Sequence, residues 1–176
     1  MWVRDALSLD MPNARVFLYG YDTTLPASKS FQSIPNIAHA FINNLYASLW
    51  TTPWPKPILL LAHSLGGIVV KEAVVAMAEI SAAKLELFKG GIFFGVPSAG
   101  MEISHLRVIV NEQPNKELLE CLSSDSPYLC KLNDRFSGVF SSRSATYIYA
   151  FETSTSPTVE VSFASILSLI LCVPCY

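Results

Sequence analysis

PILLLAHSLGGIVVKEAV, residues 57–74, decides how the chain is read. Ile58 to Ala62 form a continuous apolar run, as expected for a strand covered on both faces. Helical spacing then resumes at Leu65, Ile68, Val69, Ala73, Ala76, Met77 and Ile80, with Lys71, Glu72 and Glu79 falling away from most of that stripe. Ser64 stands at the junction. A serine there is either a nucleophile on a sharp turn or a cap for the helix that begins at Leu65.

The surroundings favour the first reading. A strand that turns directly into a helix leaves little room for side chains, which is why the nucleophile elbow is written G-x-S-x-G. Here the positions read Ala62-His63-Ser64-Leu65-Gly66, followed by Gly67. Alanine is the next smallest residue after glycine, and the glycine pair lets the helix pass close to the strand. Such a turn thrusts the hydroxyl out of the sheet. It also aims the Leu65 N–H, at the helix start, toward an oxyanion developing on a substrate.

Composition bounds the rest. A chain of 176 residues fits one domain with a sizeable core, and 51% hydrophobic against 15% charged residues argues against disorder. The net charge of −2 at pH 7 offers no basic stripe for nucleic acid. The N-terminus has no uninterrupted apolar segment of a secretory signal, so the expected setting is intracellular. The C-terminal VSFASILSLILCVPCY, 161–176, is uncharged but shorter than a bilayer span, so membrane contact is not indicated. It reads as a buried strand or an irregular tail. Cys172 and Cys175 form a CxxC with only Tyr176 after it, and Cys121 and Cys130 lack the spacing of a second zinc pair. No metal site and no cofactor is expected; the cysteines read as small apolar residues with free thiols.

Along the chain, strand and helix patterns alternate. ARVFLYG, 14–20, is a strand. Ile34, Ile37, Ala38, Phe41, Ile42, Leu45 and Leu49 mark a helix, capped by Ser33 and ended by the prolines of residues 51–57. GGIFFG, 90–95, and TYIYAF, 146–151, are further buried strands, and residues 101–140 read as helices broken by Pro114 and Pro127. This order predicts an α/β fold: a mostly parallel sheet with helices on both faces.

The ordered blocks ARVFLYGYD, AHSLGGIVVKEAV, GGIFFGVPSAG and YIYAFETS resemble the fungal-type α/β-hydrolases of the serine-esterase, lipase-like group. Their relatives include serine-active-site-containing proteins and hydrolase domains that precede NACHT and repeat modules. The resemblance covers residues 1–160, an incomplete α/β-hydrolase-like domain short at both ends. The tail, 161–176, loses the group's pattern, as an altered or read-through end would. One departure lies inside a motif: the group's G-T-P-H-x-G reads Gly95-Val96-Pro97-Ser98-Ala99-Gly100, with serine where histidine is expected.

The resemblance implies a carboxylic-ester substrate, small or lipid, attacked by Ser64, with the Leu65 N–H as oxyanion donor. Triad order in this fold is serine, acid, histidine. Glu152, after YIYAF, matches the group's acid; Glu160 and Asp134 are alternatives. The base is the difficulty. His39 lies on the helix with Phe41, His63 should point away from the neighbouring hydroxyl, and His105 precedes the acid in the chain. The expectation is therefore a hydrolase-type domain that lacks its base and is inactive as this chain. The alternative is a binding or signalling module on a hydrolase scaffold.

Overall fold

The computed structural model describes residues 3–24, 27–49, 56–140, 145–151 and 168–172. A π-helical turn, Val3–Leu7, and a short turn α1, Ser8–Asp10, lead into strand β1, Arg15–Tyr19. Helix α2, Ile34–Leu49, strand β2, Ile58–His63, helix α3, Leu65–Ile80, and the short α4, Ala82–Leu85, follow. Strand β3 is Phe88–Phe94, and α5, Ser104–Ile109, α6, Lys116–Glu120, and α7, Pro127–Phe140, lead to β4, Thr146–Ala150. Pro127 opens α7, where a missing N–H costs nothing. Ser33 caps α2: the Asn36 N–H donates to its hydroxyl at 3.3 Å.

The strands form one sheet in the order β1-β5-β2-β3-β4, where β5 is Ser168–Cys172. β2, β3 and β4 pair in parallel. β5 is antiparallel to both β1 and β2, so β1 runs in the same direction as the other three. The fold is α/β, with a mostly parallel sheet. The apolar tail thus places Ser168–Cys172 within the sheet. Beside the bulge at the start of β3, Gly90 has φ +153°, and a Cβ on it would overlap the carbonyl of Thr146. That is why a strand otherwise rich in phenylalanine carries glycine there.

β2 shows the expected burial: Ile58, Leu60 and Ala62 are at most 2% exposed. Helices α2, α3 and α7 pack on that face of the sheet. Tyr19 packs at a tilt against Phe41, and Phe93 meets Phe136 of α7 edge-on. On the other face Leu61, Ile92 and Ile148 share a register row, and Ile148 is 55% exposed.

Two expectations need correction. β4 was expected to be buried, yet among the described strands it is the edge, with Ile148, Tyr149 and Phe151 exposed. Lys71 was read as falling away from most of the apolar stripe, yet it is 3% exposed. α3 lies between α2 and α7, so it is covered on two flanks as well as by the sheet. Of the three charged residues set apart from its stripe, only Glu79 is exposed. Glu72 accepts a hydrogen bond from the Tyr128 hydroxyl of α7 at 2.8 Å. A second, smaller core of Ile103, Leu106, Val110 and Leu119 joins α5 to α6.

Tyr19 and Tyr21 leave β1 two residues apart with different fates. The Tyr19 hydroxyl donates to the carbonyl of Ile37 at 3.0 Å. The Tyr21 hydroxyl is buried with no hydrogen-bond partner among the described residues, and burial raises its pKa. An unmet buried hydroxyl costs about 1–3 kcal/mol. Tyr21→Phe is therefore expected to leave the melting temperature unchanged or raise it by about 2–4 °C, whereas Tyr19→Phe lowers it. Thermal unfolding followed by circular dichroism checks both.

Candidate functional site

Ser64 connects β2 to α3 without a loop. Its backbone lies at φ 50°, ψ −127°, a conformation in which a non-glycine residue costs on the order of 1–3 kcal/mol. Two backbone bonds hold it: the Ser64 N–H donates to the Phe94 carbonyl of β3 at 2.9 Å, and the Gly67 N–H donates to the Ser64 carbonyl at 3.0 Å. The hydroxyl makes no capping bond to the helix, although Ser64 occupies the cap position. The capping reading therefore fails, and the side chain is left half-exposed at the carboxyl edge of the sheet. Leu65 is the first helical residue, so its N–H has no acceptor within the helix.

The small residues around the turn serve its close packing. Ala62 is 2% exposed. A Cβ on Gly67 would overlap Cγ2 of Val96 and stand 2.8 Å from its Cγ1. Val96 belongs to the segment that follows β3, and that segment is anchored in turn: the Gly95 N–H donates to the Ala150 carbonyl at the end of β4, at 2.8 Å.

Beside the turn lies a small, partly open groove with a volume of about 20 Å³. Leu65, Leu118, Leu119 and Leu122 give it an apolar wall, and Asp22, Thr24, Ser28 and Asn115 a polar one. The polar wall is tied down: the Asn115 amide donates to the Thr24 carbonyl at 3.0 Å, and the Ser28 N–H to the Gln113 side chain at 3.0 Å. The Thr24 N–H donates to Asp22 Oδ1 at 2.9 Å and holds that carboxyl below its usual pKa.

Of the other residues weighed as acid or base, those the structure describes stand on the surface. His63 is exposed and leans toward β3, its Nε2 4.0 Å from where a Cβ on Gly95 would stand. His39 on α2 and His105 on α5 are exposed. Asp134 is exposed on α7. Glu152, Glu160 and Cys175 lie outside the described residues. Among the described residues, no group of His, Cys, Asp and Glu could hold a metal ion.

One buried group on α3, behind the turn, is not apparent from the sequence pattern. The Lys71 ammonium donates to Ser98 Oγ at 2.7 Å and to Asn133 Oδ1 at 2.9 Å. It also lies over the rings of Tyr149, Phe136 and Phe93, 5.2, 5.5 and 5.9 Å from their centroids. Burial lowers its pKa from 10.5 to about 8. The signal was present in the sequence as a lone lysine in GGIVVKEAVVAM, apolar nearly all round, but only a covered flank gives it meaning. Ser98, the residue that departs from the resembling motif, is its first partner.

Fold and turn together define an α/β protein with a serine on a strained strand-to-helix turn. The chain is similar to Protein SERAC1 of Homo sapiens, 30% identical over 142 residues, which are 77% of this chain and 21% of that protein. The Mus musculus protein is 29% identical over 142 residues, with the same shares, and that of Danio rerio 28% over 153 residues, 81% and 23%. The chain thus spans about a fifth of the length of these curated relatives. No family model and no solved structure matches it. The similarity is to a serine-active-site-containing protein and supports a hydrolase-like relationship. No helix among the described residues is long and apolar enough to cross a membrane.

Two measurements probe this geometry. Gly67→Ala should destabilise by about 1–3 kcal/mol because β-branched Val96 cannot swing aside. Adding Val96→Ala should recover part of that loss, as a double-mutant cycle in urea would show. The lysine sets a pH window. Its folded pKa, about 8, lies below the unfolded 10.5, so the unfolded chain binds more protons between them and stability rises with pH across that range. Relative to Lys71→Met, the unfolding free energy should climb from pH 8 to 10.5; the comparison cancels the tyrosine and cysteine titrations in that range.

Proposed function

We propose that the domain is a serine-hydrolase-type site of the fungal-type, lipase-like group its motifs resemble, in which Ser64 attacks a carboxylic ester with an apolar acyl group. The observation that carries this reading is the backbone of Ser64: φ 50° at a residue whose hydroxyl caps nothing. Strain of this kind persists where the surroundings over-determine it, and it clusters at reactive positions. The Leu65 N–H is the oxyanion donor of this reading, and the leucines beside the turn offer an acyl chain an apolar surface. Glu152 is its acid, the carboxylate that would orient a histidine. Similarity to Protein SERAC1 agrees with the class of chemistry.

A second reading, a binding or signalling module on the same scaffold, has one observation in its favour. His39, His63 and His105 are all exposed, and none has a hydrogen bond to Ser64 among the described residues. A serine hydroxyl without a general base within about 3 Å is a poor nucleophile. Turnover by this chain should therefore be slight even under the hydrolase reading.

A fluorophosphonate probe followed by peptide mapping separates the two. The hydrolase reading expects slow modification at Ser64, accelerated by added imidazole acting as an external base, and absent in Ser64→Ala. An unmodified Ser64 in saturating imidazole, or equal labelling of the alanine variant, leaves the binding module as the function.

A further inference from the structure

We propose that Lys71 is a positioning residue for the Ser64 turn: a buried cation that pins residues 95–100 between α3 and α7, and so fixes the side chain that presses on the start of α3. The proposal deepens the hydrolase reading and rests on it only for the consequence at Ser64.

Lysines are almost never fully buried unless their charge is met. Lys71 is met by neutral groups. Of the charged residues nearby, Glu72 on its own helix is engaged by Tyr128 and Glu79 by Arg135, while Lys131, Asp134 and Arg135 of α7 are exposed. Tyr147 and Tyr149 are the titratable groups of β4 beside the same aromatic cluster. The orientation of the Asn133 amide then settles the role of the amine. Asn133 Nδ2 donates to the carbonyl of Ser98 at 2.6 Å, and a carbonyl can only accept. The amide oxygen must therefore face Lys71, and an amide oxygen needs a donor. Lys71 acts there as a donor, with a second N–H for Ser98 Oγ and the ring faces around the remainder of its charge. The two acceptors and the ring faces offset part of the cost of burying the ammonium.

The result is a residue gripped twice. Ser98 is held at its hydroxyl by Lys71 and at its carbonyl by Asn133. Its own N–H donates to the Val96 carbonyl at 2.8 Å, so holding Ser98 holds Val96. Val96 fills the space that a side chain at Gly67 would need, in the first turn of α3. Contact therefore runs from Lys71 through Ser98 and Val96 to Gly67, whose N–H bonds the Ser64 carbonyl. An apolar residue at 71 would satisfy the rings but leave two acceptors without their donor. Residues 95–100 would then lose their fixed seat on the helix.

The test is hydrogen exchange on the 176-residue chain, comparing Lys71→Met, Ser98→Ala and Asn133→Leu with the wild type, beside the rate of fluorophosphonate labelling at Ser64 in imidazole. In Lys71→Met, amides of residues 64–67 and 95–100 should exchange at least tenfold faster, while those of α2 stay within about twofold. Ser98→Ala and Asn133→Leu should produce the same local pattern at smaller amplitude; they carry the test should Lys71→Met not fold. Labelling of Ser64 should fall about tenfold in Lys71→Met. Unchanged exchange in both segments, or acceleration spread evenly over the chain including α2, overturns the proposal. A Ser64 that reacts equally fast in wild type and Lys71→Met overturns its consequence at the turn. A Ser64 silent even in the wild type counts against the hydrolase reading instead, and the exchange pattern still decides the role of Lys71.

Discussion

The structure turns on the contact between a strand and the helix that leaves it without a loop. β2 ends at His63, α3 begins at Leu65, and Ser64 takes up the whole change of direction. One residue can do this only in a backbone conformation that a side chain disfavours, and only if the helix may lie close to the neighbouring strand's continuation. The first condition is met by bonds from Ser64 to Phe94 and from Gly67 to Ser64. The second is met by the absence of a side chain at Gly67, where Val96 fits instead. Remove either and the strain at Ser64 has a route to relax.

That same closeness places α3 in the middle of the protein. With the sheet beneath and α2 and α7 on its flanks, the helix has little solvent face along most of its length. Polar residues on it must find partners in the neighbours, and α7 supplies them: Tyr128 for Glu72, Asn133 for Lys71, Arg135 for Glu79. A helix in water could have left all three solvated. Buried, the lysine instead links the turn's own helix to the segment after β3, joining a matter of packing to the candidate chemistry.

At the carboxyl edge of the sheet these constraints meet a groove that is apolar on one side and hydrogen-bonded on the other. Leu65 belongs to both the turn and the groove wall, so a ligand there would lie against the residue whose N–H opens the helix. Similarity to Protein SERAC1 over most of this chain, but a fifth of those proteins, accords with a hydrolase-like relationship. The sheet carries its own peculiarity in β5, an antiparallel strand between parallel neighbours β1 and β2. Mixed sheets of this kind are common, and here the added strand joins β1 to the rest through a full ladder of pairs.

Much of this was legible in the residues. Apolar runs at 58–62 and 90–95 and the three- and four-residue spacing at 34–49 follow from local periodicity, which a strand or a helix imposes wherever it sits. The turn at Ser64 was legible for the same reason: small residues flank it because the crowding is between neighbours in sequence. What could not be read were facts about who covers whom. That TYIYA is an edge of the described sheet, and that Lys71 is enclosed, depend on partners between 27 and 78 residues away, β3 for the strand and Ser98, Asn133 and Tyr149 for the lysine. Periodicity along one helix shows which face is apolar, but not whether a second helix covers the polar one. That is decided by tertiary packing, because a charge becomes buried only when another element closes over it.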